Sequence, residues 1–184
     1  MKILNAGLTE YNEALKNLND KLVAIGKYIE VRAIGGYAML YNGLRSGGYT
    51  VDVDTVTEDY SDDIKRLVVE VSEEEGIEDD WLNNDAYSLE EVMGIFDELE
   101  WIRDKSYSNI KLYIATEESM LKLKIRAVHF GGLVPRVTDQ LDFLDLLGSL
   151  DIHSIDELSK SSVTRDMKEK YPRSYEFLLK QGNW

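Results

Sequence analysis

Two aspartates separated by one residue, Asp52 and Asp54, are the side chains of this 184-residue chain best suited to metal chemistry. Neighbouring carboxylates repel each other, and a divalent cation relieves that repulsion. Mg²⁺ takes one or two carboxylates, and phosphate and water oxygens complete its octahedron. The pair therefore predicts a site for Mg²⁺ (or Mn²⁺) together with a phosphate-bearing substrate. The alternative is an edge strand that carries acids on its solvated side.

The residues around this pair alternate between polar and apolar types, which is typical of a β-strand over 49–56. Side chains two positions apart on a strand share a face, so we expect Thr50 beside both aspartates. Val51 and Val53 are then expected to be buried on the opposite face. The metal site would open on one side of a sheet that is packed on the other.

A Gly35–Gly36 turn separates a β-rich run at 28–34 from a short predicted helix at 37–44. Exposed backbone N–H groups at such a turn, together with the dipole of the helix that follows, can bind phosphate oxygens. We therefore predict Gly35 and Gly36 as triphosphate-binding residues.

Hydrophobic periodicity predicts a small mixed α/β core followed by a helical part. In the core, helices are expected at 8–25, 37–44, 61–71 and 88–101, and strands at 28–34, 49–56 and 110–115. The acidic segment 72–80 is expected to be a solvated loop or a frayed helix end.

The C-terminal part is expected to be all-helical over 136–184, in three or four short pieces. A helix starts after Thr116 and ends near Phe130, because glycines and a proline follow it. We therefore expect a core domain at 1–132 and a helical extension at 133–184.

The helix that follows Thr116 carries one lysine on its apolar side. At about 100° per residue, its apolar residues form an arc that includes Lys124, whereas Lys122 and Arg126 face water. A lysine within an apolar arc needs a partner for its ammonium group. Lys124 is thus a candidate for contact with triphosphate oxygens or with a carboxylate. The alternative is that it reaches past the core edge to a surface acid.

Three aspartates spaced three apart, Asp139, Asp142 and Asp145, form an acidic stripe on the next predicted helix. The simplest interpretation is a solvated face, with Asp139 as the N-cap. Asp142 borders the apolar side of that helix. We therefore predict Asp142 as the partner of Lys124.

The chain has a formal net charge of −14, and its basic residues are scattered apart from a short run over 122–126. Such a surface repels nucleic acid over a Debye length, about 8 Å at physiological salt, so we expect no extended nucleic-acid groove. No cysteine is present, which excludes disulfides and thiolate metal sites. No apolar run approaches the roughly 18 residues of a membrane span, and the first residues lack a signal-peptide pattern. We expect a cytoplasmic location and no membrane partner.

The order of these elements resembles the nucleotidyltransferase superfamily with a polymerase-beta-like core. More narrowly, it is similar to a bacterial branch that includes abortive-infection type nucleotidyltransferase toxins and their relatives. The shared motifs span residues 30 to 147. They read Gly35-Gly36-Tyr37-Ala38, Gly43-Leu44-Arg45, Thr50-Val51-Asp52-Val53-Asp54, Trp81-Leu82-Asn83-Asn84, Glu118 to Lys124, and Arg136-x-x-Asp139-x-x-Asp142.

This resemblance implies a small mixed sheet of the nucleotidyltransferase type with flanking helices. It implies a Mg²⁺-dependent transfer of a nucleotidyl group from an NTP to a hydroxyl of an RNA end (tRNA, for example), a protein or a small molecule. The toxin-like branch adds an antitoxin protein as a partner. The residues it implies are Asp52, Asp54, Lys124 and Asp142 for catalysis, and Gly35, Gly36, Arg45 and Thr50 for nucleotide binding.

Two departures from the family pattern favour a second interpretation. The link between Arg45 and Thr50 is longer than usual, and the predicted strand 110–115 has no acid where many members carry a third carboxylate. A catalytically weakened nucleotide-binding or regulatory protein on the same fold is therefore the alternative. A purely structural acidic domain would require the ordered motifs to be coincidence.

Overall fold

A computed structural model describes residues 6–45, 48–131 and 136–182, and the chain in it is mixed α/β, as the sequence predicts. The α-helices are α1 (Leu8–Ala24), α2 (Gly35–Tyr41), α3 (Asp62–Glu75), α4 (Glu90–Met93), α5 (Glu117–Phe130), α6 (Val137–Ser149), α7 (Ile155–Leu158), α8 (Met167–Lys170) and α9 (Pro172–Gln181). The strands are β1 (Ile29–Ala33), β2 (Val53–Asp54), β3 (Leu82–Asn83), β4 (Trp101–Asp104) and β5 (Ile110–Ala115). Short 3₁₀ helices cover Asp85–Ser88 and Phe96–Glu98.

The chain divides into two compact units. The first comprises Met1–Leu89 and Trp101–Ala115, and the second comprises Glu90–Glu100 and Thr116–Trp184. Helix α5 belongs to the second unit because it packs against α6 and α9. The boundary predicted at 132/133 lies outside the described residues.

The first unit is built on two small sheets that meet at the end of β1. One sheet has the order β1-β5-β4, in which β5 is parallel to β1 and antiparallel to β4. The other consists of β2 and β3 in parallel. An isolated antiparallel bridge between Ala33 and Thr55 joins them. The C-terminal end of β1, where the glycine turn begins, therefore lies directly beside β2.

The core of the first unit follows from sequence periodicity. Leu15, Leu18 and Leu22 recur at helical spacing on α1 and are fully buried. Alternate residues of β1, including Val31 and Ala33, are fully buried as well, as expected for a strand with one packed face. Helix α1 and strand β1 thus both contribute to the buried core of the first unit.

The strand expected over 49–56 is much shorter than predicted. Regular pairing is confined to Val53 and Asp54, and Thr50 makes a separate antiparallel bridge to Ala6. The chain bends at Val51, because the residues on either side of it pair with different partners. The expectation that Val51 is buried is therefore wrong: it is 57% exposed, whereas Val53 is fully buried.

Elsewhere, two segments differ from the sequence prediction. The helix expected at 61–71 continues to Glu75 and ends at Gly76, which adopts φ +71°, so the acidic loop expected at 72–80 is partly helical. The helix expected at 88–101 is instead a set of short helical turns followed by β4. In the described part of the chain, no helix has both the length and the apolar character that crossing a bilayer requires.

Candidate functional site

Strand β2 is held by backbone hydrogen bonds on both of its sides. The N–H groups of Val53 and Thr55 donate to the carbonyls of Trp81 (2.6 Å) and Asn83 (2.9 Å). On the other side, the Ile34 N–H donates to the Asp54 carbonyl over 2.9 Å. These bonds place Asp54 between the glycine turn and β3.

Gly35 begins α2 and packs against the carboxylate of Asp54. Its φ of +63° lies in the left-handed region that favours glycine. A Cβ at this position would overlap the Asp54 carboxylate and lie 3.2 Å from its Cγ. The glycine therefore permits both the turn itself and the close approach of the acid.

Gly36 provides a second close approach, to Thr50 and Arg45. A Cβ on Gly36 would overlap the Thr50 hydroxyl and the Arg45 guanidinium, and would lie 2.7 Å from Thr50 Cβ. The Arg45 Nη1 also donates to the Tyr49 carbonyl over 3.3 Å. Despite the long link that follows it in sequence, Arg45 thus lies beside the turn, and a cation sits next to the first N–H groups of α2, which have no carbonyl partner within the helix.

Asp52 is half-buried and accepts a hydrogen bond from Asn83 Nδ2 over 3.0 Å. The Asn83 side chain is itself oriented, because its Oδ1 accepts from the Asp85 N–H over 3.2 Å. With its oxygen engaged in this way, the amide directs its N–H group at the Asp52 carboxylate. In the sequence, Asn83 is distinguished only as part of the Trp81-Leu82-Asn83-Asn84 motif. Its contact with Asp52 depends on the β2–β3 pairing, which the sequence pattern did not indicate.

The hydroxyl of Tyr11 lies close enough to Asp52 and Asp54 for their charges to affect its pKa. Burial raises the pKa of this hydroxyl, and the nearby carboxylates of Asp52, Asp80 and Asp54 raise it further. The Tyr11 ring stacks on the buried Trp81 ring with the centroids 6.3 Å apart. A site with this negative charge attracts cations.

Asp52 and Asp54 could bind a hard cation only if ligands from outside the protein completed its coordination. Among the described residues, no group of three or more His, Cys, Asp or Glu side chains could hold a metal ion. Asp52 and Asp54 would therefore supply two carboxylates, a number that suits Mg²⁺ when substrate phosphates and water fill the remaining positions. The Arg45 guanidinium beside the turn is suited to the same phosphates.

The second unit contains the other predicted site residues, Lys124 and Asp142, in a buried ion-pair network. The Lys124 Nζ lies 2.8 Å from Asp142 Oδ2 and 2.8 Å from Asp139 Oδ1. Lys124 is 7% exposed, Asp139 5% and Asp142 3%. The predicted pairing of Lys124 with Asp142 is therefore present, and the acids that it contacts are buried rather than on the surface.

The interpretation of Asp139 as a solvated N-cap is wrong. Helix α6 begins at Val137 with Arg136 as its N-cap, and Asp139 points into the interface with α5. Asp139 also accepts from Arg136 Nε over 2.9 Å. Burial by itself would raise the pKa of Asp139, but the ammonium of Lys124 and the guanidinium of Arg136 outweigh it and lower the pKa. Of the acidic stripe, Asp145 is the solvated member.

Comparison with known proteins gives no family assignment. The chain matches no protein-family model, no curated protein and no solved structure. The assignment of chemistry therefore rests on the residues that the fold brings together: Gly35, Gly36, Arg45, Thr50, Asp52 and Asp54 in the first unit, and Lys124 and Asp142 in the second.

We predict that Lys124→Ala destabilises the protein strongly. The change leaves two buried carboxylates without their ammonium partner, and removing one partner of a buried ion pair costs about 3–5 kcal/mol. Urea unfolding followed by circular dichroism measures the loss. Lys122→Ala, on the same helix, is the matched control: it removes one hydrogen bond to the Glu98 carbonyl and is expected to cost about 1 kcal/mol. Equal losses for the two variants would contradict the prediction.

We predict that Asp139 contributes to the loss of folding stability at low pH. Its folded-state pKa lies below the ordinary value of 3.8, so its carboxylate contributes stability above that pH. The contribution is lost as the pH falls through the folded-state pKa. The free energy of unfolding, measured between pH 5 and pH 3, should therefore fall less steeply for Asp139→Asn than for the unmodified chain. Asp97→Asn, which alters an exposed carboxylate, should keep the steeper slope.

We predict that Gly36→Ala disrupts the glycine turn. Its methyl group would overlap Thr50. The backbone of Thr50 is held in place by two hydrogen bonds to the backbone of Ala6. Overpacking of this kind costs about 1–3 kcal/mol, measurable as a lower urea midpoint. Gly148→Ala is the control, since a Cβ there meets nothing within 4 Å and Gly148 lies within α6. That change should be neutral or stabilising by up to about 1 kcal/mol.

Proposed function

We propose that the first unit is a Mg²⁺-dependent nucleotidyltransferase site on a sheet of the nucleotidyltransferase type. One observation supports this most strongly: β2 brings Asp54 against Gly35 while Thr50 and Arg45 lie against Gly36. The Asp54 carboxylate, the Arg45 guanidinium and the glycine-rich start of α2 therefore lie together, with Asp52 two residues before Asp54 in the chain. This combination is suited to a metal-bound triphosphate.

The residues of the site have distinct tasks in this proposal. Asp52 and Asp54 hold the metal, and Asn83 keeps the Asp52 carboxylate in one orientation through its hydrogen bond. Backbone N–H groups at Gly35 and Gly36 bind phosphate oxygens. Arg45 neutralises charge that develops on the departing phosphates. A bound Mg²⁺ would supply charge neutralisation and hold the phosphates against the carboxylates.

The reaction is a displacement at phosphorus. A hydroxyl oxygen of the acceptor bonds to the α-phosphorus of the NTP, and the bond from that phosphorus to the bridging oxygen breaks. Pyrophosphate leaves, and the hydroxyl proton passes to water. The protein contributes position and electrostatic stabilisation to this step. An RNA end, a protein hydroxyl and a small alcohol all satisfy the chemistry, and a toxin-like activity controlled by an antitoxin protein is part of the proposal.

Lys124 and Asp142 belong to the proposal only through the family resemblance. Their mutual contact, together with Asp139, accounts for their burial on structural grounds. A catalytic role would require an effect on transfer beyond the effect on folding. Measuring transfer and unfolding on the same preparation of Lys124→Ala separates these two contributions.

A second candidate function is nucleotide binding without turnover. It is favoured by the sequence of β5, Ile110–Ala115, which contains no acidic side chain. Two carboxylates can hold a metal–nucleotide complex while supporting transfer poorly. A regulatory protein of this kind would bind Mg²⁺–NTP tightly and leave the nucleotide intact.

We expect transfer of label from an NTP to RNA or protein when the chain is incubated with each labelled NTP, Mg²⁺ and a cell extract. Asp52→Asn should reduce the rate by about 10²- to 10³-fold, the effect of losing one preorganised electrostatic contact. Asp20→Asn makes the same charge change on the exposed surface of α1 and should retain the full rate.

Three results would decide between the candidates. Transfer that Asp52→Asn leaves unchanged would exclude the proposed site. Mg²⁺–NTP binding without transfer, weakened by Asp52→Asn, would favour the nucleotide-binding protein. Neither binding nor transfer by the folded chain would contradict both.

A further inference from the structure

The three-stranded sheet of the first unit has one packed face and one open face. Val31, Leu112 and Ile114 are fully buried on the packed face. Because side chains alternate along a strand, their neighbours point to the other side, where they are exposed or half-buried. This open face consists of Glu30, Arg32, Trp101, Arg103, Lys111 and Tyr113. None of these residues has a role in the proposed nucleotidyl transfer.

A row of three side chains crosses the open face, with one aromatic ring between two guanidinium groups. Arg32 on β1 and Arg103 on β4 are the register partners of Tyr113 on β5. The Arg32 guanidinium lies 5.2 Å from the centroid of the Tyr113 ring, and the Arg103 guanidinium lies 6.0 Å from it. Arg32 also lies 5.5 Å from the centroid of the Trp101 ring. These cation–π contacts favour one arrangement of the two guanidinium groups on the sheet.

The open face is basic, although the chain as a whole is acidic. It carries three cations, Arg32, Arg103 and Lys111, and one carboxylate, Glu30, which accepts from Arg32 Nε over 2.6 Å. Arg103 and Lys111 are exposed, and within the described part of the chain neither forms an ion pair with a carboxylate. In a chain of net charge −14, a surface of this sign favours an anionic occupant.

We propose that the open face binds a short stretch of single-stranded nucleic acid. The phosphates would accept charge-assisted hydrogen bonds from Arg32, Arg103 and Lys111. Unpaired bases would stack on the accessible parts of the Trp101 and Tyr113 rings and on the guanidinium planes. This binding is independent of the proposed nucleotidyl transfer.

The size of the open face sets the length of strand that it can hold. Neighbouring strands lie about 4.8 Å apart, so the row from Arg32 to Arg103 spans roughly 10 Å. That distance accommodates about two or three nucleotides, so the surface is a short patch and not an extended groove.

The aromatic rings favour nucleic acid over an acidic peptide. The carboxylates of a peptide would use only the cations of the open face. A nucleic-acid strand combines phosphates with flat bases, and it would therefore use the rings of Trp101 and Tyr113 as well. The two kinds of partner are expected to respond differently to the loss of a ring.

Fluorescence anisotropy of a labelled oligouridine of twelve nucleotides tests the proposal, with the full chain at low salt and with EDTA in place of Mg²⁺ and NTP. We expect saturable binding. Arg103→Gln/Lys111→Gln should weaken it by about tenfold or more, since two exposed cations are lost. Tyr113→Leu should weaken it by about fivefold or more, because one stacking ring is lost. Oligodeoxythymidine of the same length distinguishes RNA from DNA as the source of the strand.

The matched control variant separates the open face from exposed cations in general. Lys65→Gln/Arg66→Gln removes two exposed cations from α3 and should change the affinity by less than about twofold. Polyphosphate and polyglutamate, which carry negative charge without bases, should compete at least fivefold more weakly than unlabelled oligouridine. Circular dichroism confirms that each variant is folded.

Several outcomes would overturn the proposal. Equal weakening by the α3 and open-face variants, or equal competition by polyglutamate, would show a general attraction for polyanions. Unchanged affinity in folded Tyr113→Leu would exclude base stacking, and no detectable binding by the unmodified chain would exclude the open face as a site. Because Mg²⁺ and NTP are absent, none of these results depends on whether the chain transfers nucleotides.

Discussion

The arrangement of the candidate site depends on how the backbone of two residues, Val53 and Asp54, is shared between neighbours. The Val53 N–H donates a hydrogen bond to the Trp81 carbonyl on one side, and the Asp54 carbonyl accepts one from the Ile34 N–H on the other. Because side chains alternate along a strand, a slip of one residue would turn Asp54 away from the glycine turn and expose Val53. Burial of Val53 and the Tyr11–Trp81 stack oppose that slip. The position of the carboxylates is therefore secured by apolar packing behind them.

A different constraint organises the second unit. Lys124 lies among the apolar residues of α5, where an ammonium group without partners would be very unfavourable. Asp139 and Asp142, one helical turn apart on α6, both reach it. Their contact favours the observed face of α6 against α5, because another face would leave the Lys124 ammonium buried without its carboxylate partners. Specificity of packing here comes from charge and burial together.

The proposed site of the first unit combines acidic groups with a basic one. Asp52 and Asp54 would need a cation between them and the phosphates of a substrate, and Arg45 lies beside Gly36 as a further positive group. This arrangement is consistent with a chain of net charge −14, in which binding of cations offsets repulsion among acids.

Local patterns in the sequence were enough to predict α1, α5, β1 and β5, since periodicity and end signals such as Thr116 act within a few residues. The partnership of Lys124 with Asp142 was also predictable, because helical geometry alone places one in an apolar arc and the other at its border. The mixed α/β class followed from the order of these elements. Two residues two apart in an alternating run sufficed to select Asp52 and Asp54 as candidates.

Only the tertiary structure determined the bend at Val51, the burial of Asp139 and the contact of Asn83 with Asp52. Strand β3 is two residues long, so its pairing with β2 leaves almost no local pattern, yet that pairing orients Asn83. From its sequence position Asp139 resembles a capping residue, but in the folded chain it is buried against α5. The difference has one physical cause: local sequence sets the periodicity of each element, whereas burial and hydrogen-bond partners depend on residues distant in the chain.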